Sequence, residues 1–199
     1  PWSRGVWGRF GSPAILLSGG EPLLRAELTE LVHYAGRLGL RAVISSNGTL
    51  ITEKRAFELK EAGVSYIGIS LDGLEATHDA FRGVTGAFKQ AMQGIELAQK
   101  AGIKVGLRLT INRANADQIP DLFELMRESQ IPRVCFYHMV ATGRGHSLND
   151  TLLSHDATRK AVDTVIDLTK QAHTDGYPLE VLTVDNHADG PYLYLRLLR

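Results

Sequence analysis

Six times along the chain, a helical stretch ends near a glycine or proline and a run of β-branched and apolar residues follows at once. The junctions read RFGSPAILLS, RLGLRAVISS, EAGVSYIGIS, KAGIKVGLRL, SQIPRVCFYH and DGYPLEVLTV. Glycine directly after a helix adopts the left-handed conformation that reverses the chain into the next strand. The repeated junction therefore predicts that helices and strands alternate.

The stretches between the junctions have the periodicity of amphipathic helices. Apolar residues recur at helical spacing on one predicted face, formed by Leu24, Leu28, Leu31, Val32, Ala35 and Leu38. Nearly continuous Val, Ile and Leu strands that alternate with such helices are typical of a parallel sheet covered by helices. This α/β pattern fits a barrel or an open doubly wound sheet equally well.

The composition excludes several classes of protein. The chain has 199 residues, of which 44% are hydrophobic, enough for one domain with a core. Lys and Arg together number 22, as do Asp and Glu, so no net positive charge attracts nucleic acid or an anionic membrane. No apolar run could span a bilayer, so we expect a cytoplasmic protein. The single cysteine, Cys135, excludes an internal disulfide or multi-thiolate metal site within this chain.

The predicted strand ends are unusually polar. Parallel α/β folds bind ligands at the carboxyl ends of their strands. The glycines of SGGEP would let the backbone approach a ligand closely, and its glutamate offers a carboxylate to a cation. Hydroxyl, amide, acid and guanidinium groups at later strand ends suit a ligand with vicinal hydroxyls and a carboxylate. The candidate residues are Gly19, Gly20, Glu21, Ser45, Asn47, Ser70, Asp72 and Arg108.

Each of these motifs also has an ordinary explanation. GGEP is more often a turn than a cofactor site, SLDG is a plain strand exit, and Arg108 could be solvated or ion-paired. A βα-barrel lyase or aldolase would need a lysine at a strand end, and none occurs in SGGEP, SSNGT, SLDG, LRLTIN or FYHMVATGRG. The motifs in order, one at each strand end, are much more specific than any one of them.

Together, LLSGGEPLLR, SSNGTLI, GISLDG, THDAFRG and GLRLTIN resemble the core of radical S-adenosylmethionine (SAM) enzymes of the branch with additional iron-sulfur clusters. The resemblance covers nearly the whole chain and implies a partial (β/α)6 barrel. It implies that Gly19, Gly20 and Glu21 follow the second strand and hold the methionyl ammonium of S-adenosylmethionine. The other implied cofactor contacts are Ser45 and Asn47 after the third strand, Ser70 and Asp72 after the fourth, Arg108 on the fifth, and Met139 and Val140 at the adenine.

Within that branch, FYHMVATGRG and TVDNHADGPYLYLRLLR resemble the radical SAM enzymes of heme d1 biosynthesis. This resemblance implies that propionate side chains are removed from a siroheme-derived tetrapyrrole through a 5′-deoxyadenosyl radical, with a flavodoxin or ferredoxin as electron donor. The related decarboxylase of the alternative heme b route, a peptide-modifying member and a catalytically silent SAM-binding domain are alternatives. The implied chemistry needs no acid or base from this chain, so no catalytic residue is assigned.

The sequence departs from this family in its cysteines. The family ligates a [4Fe-4S] cluster with a C-x3-C-x2-C loop after the first strand, and this sequence lacks the motif. We therefore expect that loop upstream of Pro1 and auxiliary-cluster cysteines beyond Arg199, so that this segment alone is inactive. The expected domains are the partial barrel over 1–177, with strands two to six, and the start of a C-terminal extension over 178–199. Cys135, within VCFY, is expected to be a buried small hydrophobe.

Three residues in the second half of the chain are candidates for contact with the substrate. A substrate with several propionates needs cationic partners, and His138 and Arg144 follow the sixth strand. His187 lies in VDNHADG, where Asp185, His187 and Asp189 could share one strand face and bind a metal. Such clusters are more commonly turns, so we predict that His187 contacts the tetrapyrrole and assign no metal ligand.

Overall fold

The computed structural model describes residues 14–140 and 150–198, in which strands and helices alternate as predicted. The strands are β1 Ala14–Leu17, β2 Arg41–Ser46, β3 Val64–Ser70, β4 Lys104–Ile111, β5 Arg133–His138 and β6 Glu180–Val184. The helices are α1 Leu28–Arg37, α2 Glu53–Ala62, α3 Glu75–Arg82, α4 Ala87–Lys100, α5 Ile119–Glu128, α6 His155–Thr174 and α7 Asp189–Leu197. In these two ranges no helix has both the length and the apolar character needed to cross a membrane.

Glycines reverse the chain at the predicted junctions. Gly39, Gly63, Gly102 and Gly176 have φ angles of 77°, 98°, 74° and 79°, in the left-handed region that glycine adopts without steric cost. The junction between α5 and β5 has no glycine, and Gln130 takes a φ of 52° there instead. The predicted capping mechanism is therefore confirmed at four junctions, and a glutamine replaces glycine at a fifth.

The chain forms two compact units, the first of which contains the described residues up to Ser70 and Lys89–Gly106. Within it, β1 pairs in parallel with β2, and β2 pairs in parallel with β3. The register places Leu17 opposite Ile44 and Ser45 opposite Gly68. Apolar residues of these strands and of α1 and α2 form the core, including Leu28, Val32, Ile44, Ala56, Leu59 and Ile67.

The second unit contains Leu71–Phe88 and the described residues from Leu107 onward. Here β4, β5 and β6 pair in parallel in that order, with Arg108 opposite Cys135. Burial alternates along β4 and β5: Leu107, Leu109, Val134 and Phe136 are buried, whereas Arg108, Thr110, Cys135 and Tyr137 are half-exposed. One strand face is therefore packed and the other is accessible and partly polar. Strand β6 follows the predicted domain boundary at 177/178, which stays a prediction.

Two predictions about individual side chains are wrong. Leu24 is 75% exposed rather than on the buried helix face, because Pro22 begins a separate 3-10 turn, Pro22–Leu24, and α1 begins only at Leu28. Cys135 is half-exposed rather than buried, because successive strand residues point to opposite faces and its two neighbours occupy the packed face. An apolar run in the sequence did not reveal either arrangement.

The packed face of β5 gives a stability prediction. Phe136 is fully buried, and its ring is stacked on that of Phe123 with 6.1 Å between the centroids and 12° between the planes. Phe136→Ala should lower the free energy of unfolding by about 3–5 kcal/mol, because it removes apolar contacts and leaves a cavity. Urea denaturation followed by circular dichroism measures this loss.

The matched control is Phe57→Ala, because Phe57 is 48% exposed in α2. A surface replacement of this kind should change stability by less than about 1 kcal/mol. Equal losses in the two variants would contradict the assignment of Phe136 to the core.

Candidate functional site

The carboxylate of Glu21 connects the ends of two neighbouring strands in the first unit. Glu21 precedes the 3-10 turn, and its Oε1 accepts a hydrogen bond from the backbone N–H of Leu23 at 3.0 Å. The same oxygen accepts from the Ser46 hydroxyl at 2.8 Å, and Oε2 accepts from the backbone N–H of Asn47 at 2.8 Å. The segment after β1 is therefore held directly against the end of β2.

A tight turn follows β2 and supports this carboxylate. The Ser46 hydroxyl that donates to Glu21 accepts from the backbone N–H of Gly48 at 2.9 Å. The side-chain oxygen of Asn47 accepts from the N–H and the hydroxyl of Thr49 at 2.9 and 2.8 Å. Asn47 thus faces Glu21 through its backbone, while its side chain closes the turn.

Ser46 is a site residue that the sequence analysis missed. Ser45, which was predicted instead, is half-exposed on the other face of β2, while Ser46 is 3% exposed on the same face as Ile44. The signal was present in the strand alternation, because a buried serine after a buried isoleucine must find a hydrogen-bond partner. Both serines lie at the predicted strand end, but only Ser46 contacts Glu21.

The two glycines before Glu21 leave open space around their backbone. A Cβ atom on Gly19 or Gly20 would meet no atom within 4 Å among the described residues. Gly19 has a φ of 147°, which residues with a side chain rarely adopt. Glycine is therefore needed at this position for its backbone conformation rather than for close packing. A ligand could approach this backbone and the nearby carboxylate together.

A second carboxylate, that of Asp72, belongs to the second unit, where it lies two residues after the end of β3 and is 2% exposed. Its Oδ1 accepts from the backbone N–H of Thr110 at 3.0 Å, and its Oδ2 pairs with Arg82. The Asp72 backbone N–H donates to Nδ1 of His78, and its carbonyl accepts from the Asn115 amide. Both carboxylate oxygens thus have protein partners, and the cofactor role of Asp72 stays a prediction. Ser70, at the end of β3, is half-exposed.

His78 is held neutral by this network. It is 2% exposed, and burial, followed by the positive charge of Arg82, lowers its pKa from the usual value of 6.5. Because Nδ1 accepts the Asp72 N–H at 3.0 Å, the neutral ring carries its hydrogen on Nε2. Protonation of Nδ1 would break that hydrogen bond.

Arg108 lies on the accessible face of β4, where its guanidinium is stacked over the Tyr137 ring at 4.7 Å from the centroid. Burial, followed by a hydrogen bond with Cys135, raises the pKa of Tyr137 to about 12. Burial likewise raises the pKa of the Cys135 thiol above 9.0, against a lowering contribution from the Tyr137 hydrogen bond. The stack fixes the guanidinium, while the thiol stays protonated and is a poor metal ligand.

His138 has a buried acidic partner that the sequence analysis did not assign. At the end of β5, its Nε2 lies 2.7 Å from Oδ2 of Asp189, and the two side chains are only 12% and 9% exposed. The amide of Asn186 donates to the other Asp189 oxygen at 2.8 Å. No local sequence signal joins His138 to Asp189, which lies 51 residues later.

The other predicted contacts are less closely organised. Met139 is half-exposed, and its sulfur accepts from the Thr151 hydroxyl at 3.1 Å, while Val140 is 50% exposed. His187 is exposed in the turn after β6. Asp185, His187 and Asp189 do not share the strand face that the sequence analysis considered, because β6 ends at Val184. Asp185 has a φ of 68°, and Asp189 is the first residue of α7. Arg144 lies outside the described residues.

Comparison with known proteins decides the family. The model of the radical SAM superfamily matches residues 6–126. Over 96% of this chain, the sequence is 55% identical to Fe-coproporphyrin III synthase of Methanosarcina barkeri, of which the match covers 48%. The chain belongs to the radical SAM superfamily.

Two further relatives have related names. Pre-heme d1 synthase of Dinoroseobacter shibae is 42% identical over 93% of this chain and 46% of its own length. The AdoMet-dependent heme synthase of Oleidesulfovibrio alaskensis is 40% identical over 80% of this chain and 42% of its own length. This radical SAM chain therefore spans about half the length of the curated relatives it matches.

Solved structures confirm the fold. The structure described as native anSMEcpe with bound AdoMet has a TM-score of 0.71 at 18% identity and covers 88% of this chain and 51% of its own. Streptococcus suis SuiB bound to precursor peptide SuiA has a TM-score of 0.73 at 18% identity, over 92% of this chain and 40% of its own. The chain has the partial (β/α)6 barrel fold that the resemblance implied.

The radical SAM family uses S-adenosylmethionine and a [4Fe-4S] cluster. The residues of this chain do not fit the cluster, because the sequence holds one cysteine and the described residues contain no group of three His, Cys, Asp or Glu placed to hold a metal. They do fit an ammonium group. Oε2 of Glu21 accepts one hydrogen bond from the described residues, and a carboxylate oxygen can accept two.

The lowered pKa of His78 predicts a pH dependence of stability. The unfolded chain binds a proton near pH 6.5, whereas folded His78 resists protonation until lower pH, so the unfolded state binds more protons as pH falls. The stabilisation is present above pH 6.5 and is lost below it. When the pH falls from 7.5 to 5.5, the free energy of unfolding should decrease by roughly 1 kcal/mol more in the wild type than in His78→Asn, because asparagine does not titrate.

Urea denaturation at the two pH values tests this prediction. Exposed His155, at the start of α6, gives the control, and His155→Asn should keep the wild-type pH dependence. If His78→Asn lost stability on acidification as steeply as the wild type, His78 would not be the source of the pH dependence.

Proposed function

We propose that this chain is the cofactor-holding part of a radical SAM enzyme that modifies a tetrapyrrole of heme biosynthesis, with Fe-coproporphyrin III as its product. The observation that carries the proposal is the 55% identity over 96% of the chain to Fe-coproporphyrin III synthase. Identity to relatives with other named products is lower over similar or shorter stretches. The substrate class is therefore inferred from the relatives, and the cofactor site from the geometry.

The second candidate is the heme d1 branch. Its support is the 42% identity over 93% of the chain to pre-heme d1 synthase, together with the resemblance in FYHMVATGRG. The reaction there would remove propionate side chains from a siroheme-derived tetrapyrrole. A peptide substrate has weaker support, because the PqqA peptide cyclase is 32% identical over 92% of the chain. An external donor such as a flavodoxin or ferredoxin would supply electrons in each case.

S-adenosylmethionine supplies the 5′-deoxyadenosyl radical in this family, and residues of the chain hold the cofactor. Glu21 receives the methionyl ammonium in a charge-assisted hydrogen bond, beside the open backbone of Gly19 and Gly20. Ser45 and Asn47 contact the ribose side, and Ser70 and Asp72 extend the polar contacts. Arg108, fixed by its stack on Tyr137, binds the carboxylate, and Met139 and Val140 flank the adenine.

The substrate contacts are proposed at the other group of residues. His138 is held through Nε2 by the carboxylate of Asp189, which leaves Nδ1 of the ring to face the substrate. Arg144 and His187 would meet the propionates of the tetrapyrrole. The rival of a silent SAM-binding domain would require that the intact protein lack the C-x3-C-x2-C motif.

Replacement of Glu21 tests the cofactor site. Charge-assisted hydrogen bonds contribute about 1.5–3 kcal/mol, so Glu21→Gln in the anaerobic intact protein should weaken S-adenosylmethionine binding by about tenfold or more. Titration calorimetry measures the affinity. The matched control is Glu27→Gln, an exposed glutamate nearby whose ion pair with Arg25 is on the surface. Equal affinities for wild type and Glu21→Gln would show that the ammonium binds elsewhere.

Product analysis tests the proposed reaction. The intact protein, with its cluster reconstituted anaerobically, is supplied with S-adenosylmethionine, reductant and siroheme or its decarboxylated derivatives. Mass spectrometry should detect Fe-coproporphyrin III, and His138→Ala should lower its yield while slow cofactor cleavage to 5′-deoxyadenosine continues. Loss of propionates to give pre-heme d1 would favour the second candidate. Cofactor cleavage without any tetrapyrrole product would contradict both.

A further inference from the structure

Helix α4 makes a backbone contact with the turn after β2. A Cβ atom placed on Gly94 would lie 2.3 Å from the carbonyl oxygen of Gly48 and 3.1 Å from its carbonyl carbon. Real Cβ atoms essentially never approach another atom more closely than 3.0 Å. Only glycine at position 94 therefore permits this approach.

The Gly48 turn is also closely packed against neighbouring residues. Gly48 has a φ of 79°, and a Cβ atom there would lie 3.0 Å from Cγ2 of Ile69 and 3.3 Å from Cα of Ala91. Ala91 and Ile69 are fully buried. The Gly48 turn is thus enclosed between β3 and α4 and has little room to move.

Among the described residues, this turn carries two of the three hydrogen bonds that the Glu21 carboxylate accepts. The Gly48 N–H donates to the Ser46 hydroxyl at 2.9 Å, and that hydroxyl donates to Glu21 at 2.8 Å. The adjacent Asn47 N–H donates to the other carboxylate oxygen at 2.8 Å. The Gly48 carbonyl that touches Gly94 also accepts from the N–H of Ile51 at 3.2 Å.

A displacement of the turn would be transmitted directly to the carboxylate. To relieve a 2.3 Å contact to the 3.0 Å limit, the turn and α4 must separate by roughly 0.7 Å. The two 2.8 Å hydrogen bonds from the turn to Glu21 would then lengthen to about 3.5 Å, where they are much weaker. The carboxylate would lose its fixed orientation.

We propose that Gly94 is a positioning residue for the Glu21 carboxylate, because its lack of a side chain lets α4 set the turn that holds Glu21. The inference rests on the proposed role of Glu21 in binding the cofactor ammonium. It assigns a role in ligand binding to a helix residue that lies 73 positions after Glu21 and belongs to none of the strand-end motifs.

The experiment measures S-adenosylmethionine affinity by calorimetry in the intact protein. Gly94→Ala should weaken binding at least fivefold. The matched control is Gly36→Ala in α1, since a Cβ there meets nothing within 4 Å and its φ is ordinary, and it should bind like the wild type. Val32→Ala, which removes a side chain 1% exposed in α1, should lower the Tm and leave the affinity unchanged.

A double-mutant cycle separates positioning from general damage to the fold. If Gly94 acts through Glu21, Gly94→Ala should cause no further loss of affinity in the Glu21→Gln background. Wild-type affinity in Gly94→Ala, or losses that add fully in the double variant, would overturn the inference. An unaffected Glu21→Gln single variant would instead refute the proposed cofactor role of Glu21.

Ser46→Ala provides a second variant if Gly94→Ala does not fold. It removes the hydroxyl that links the turn to Glu21 and introduces no clash. We expect at least a fivefold loss of affinity, again absent in the Glu21→Gln background. Wild-type affinity in Ser46→Ala would show that the turn does not control Glu21 and would exclude the positioning role of Gly94.

Discussion

The organisation of each unit depends on how backbone N–H groups are satisfied where parallel strands end. A carboxylate performs this role in both units: Glu21 accepts the Asn47 N–H after β2, and Asp72 accepts the Thr110 N–H within β4. The two differ in exposure and partners. Asp72 is buried and paired with Arg82, whereas Glu21 is part-exposed and has acceptor capacity left among the described residues. The same local chemistry therefore leaves both carboxylate oxygens of Asp72 with protein partners and one oxygen of Glu21 with room for a ligand.

Close backbone packing makes the candidate site precise. The Gly48 turn is enclosed by buried residues and by the backbone of α4 at Gly94, so the donors to Glu21 are fixed before any ligand binds. Preorganisation of this kind lowers the entropy cost of ordering the site when a ligand binds. It also makes binding sensitive to shifts well below 1 Å. We therefore expect cofactor affinity to depend on helix packing as well as on the carboxylate itself.

The chain supplies one part of what radical SAM chemistry requires. The carboxylate of Glu21 fits the ammonium group of S-adenosylmethionine, whereas burial raises the pKa of the one thiol, that of Cys135. Two relatives, 55% and 42% identical over more than nine-tenths of this chain, are named for tetrapyrrole products, and their own chains are about twice as long as the matched region. The proposed cofactor site and the thiolates of the cluster are therefore separate requirements, and the proposal places only the first on the described residues.

The sequence alone determined the alternation of helices and strands, the glycine reversals and the strand-end position of Glu21, because periodicity and glycine conformation are local properties. Tertiary structure decided which side chains meet. It placed Ser46 rather than Ser45 on Glu21, left Cys135 half-exposed, joined His138 to Asp189 and brought Gly94 against Gly48. The contacting residues lie far apart in the chain, and neighbouring residues in a strand, such as Ser45 and Ser46, point to opposite faces. These arrangements are set by strand register and helix packing, which no local pattern of residues specifies.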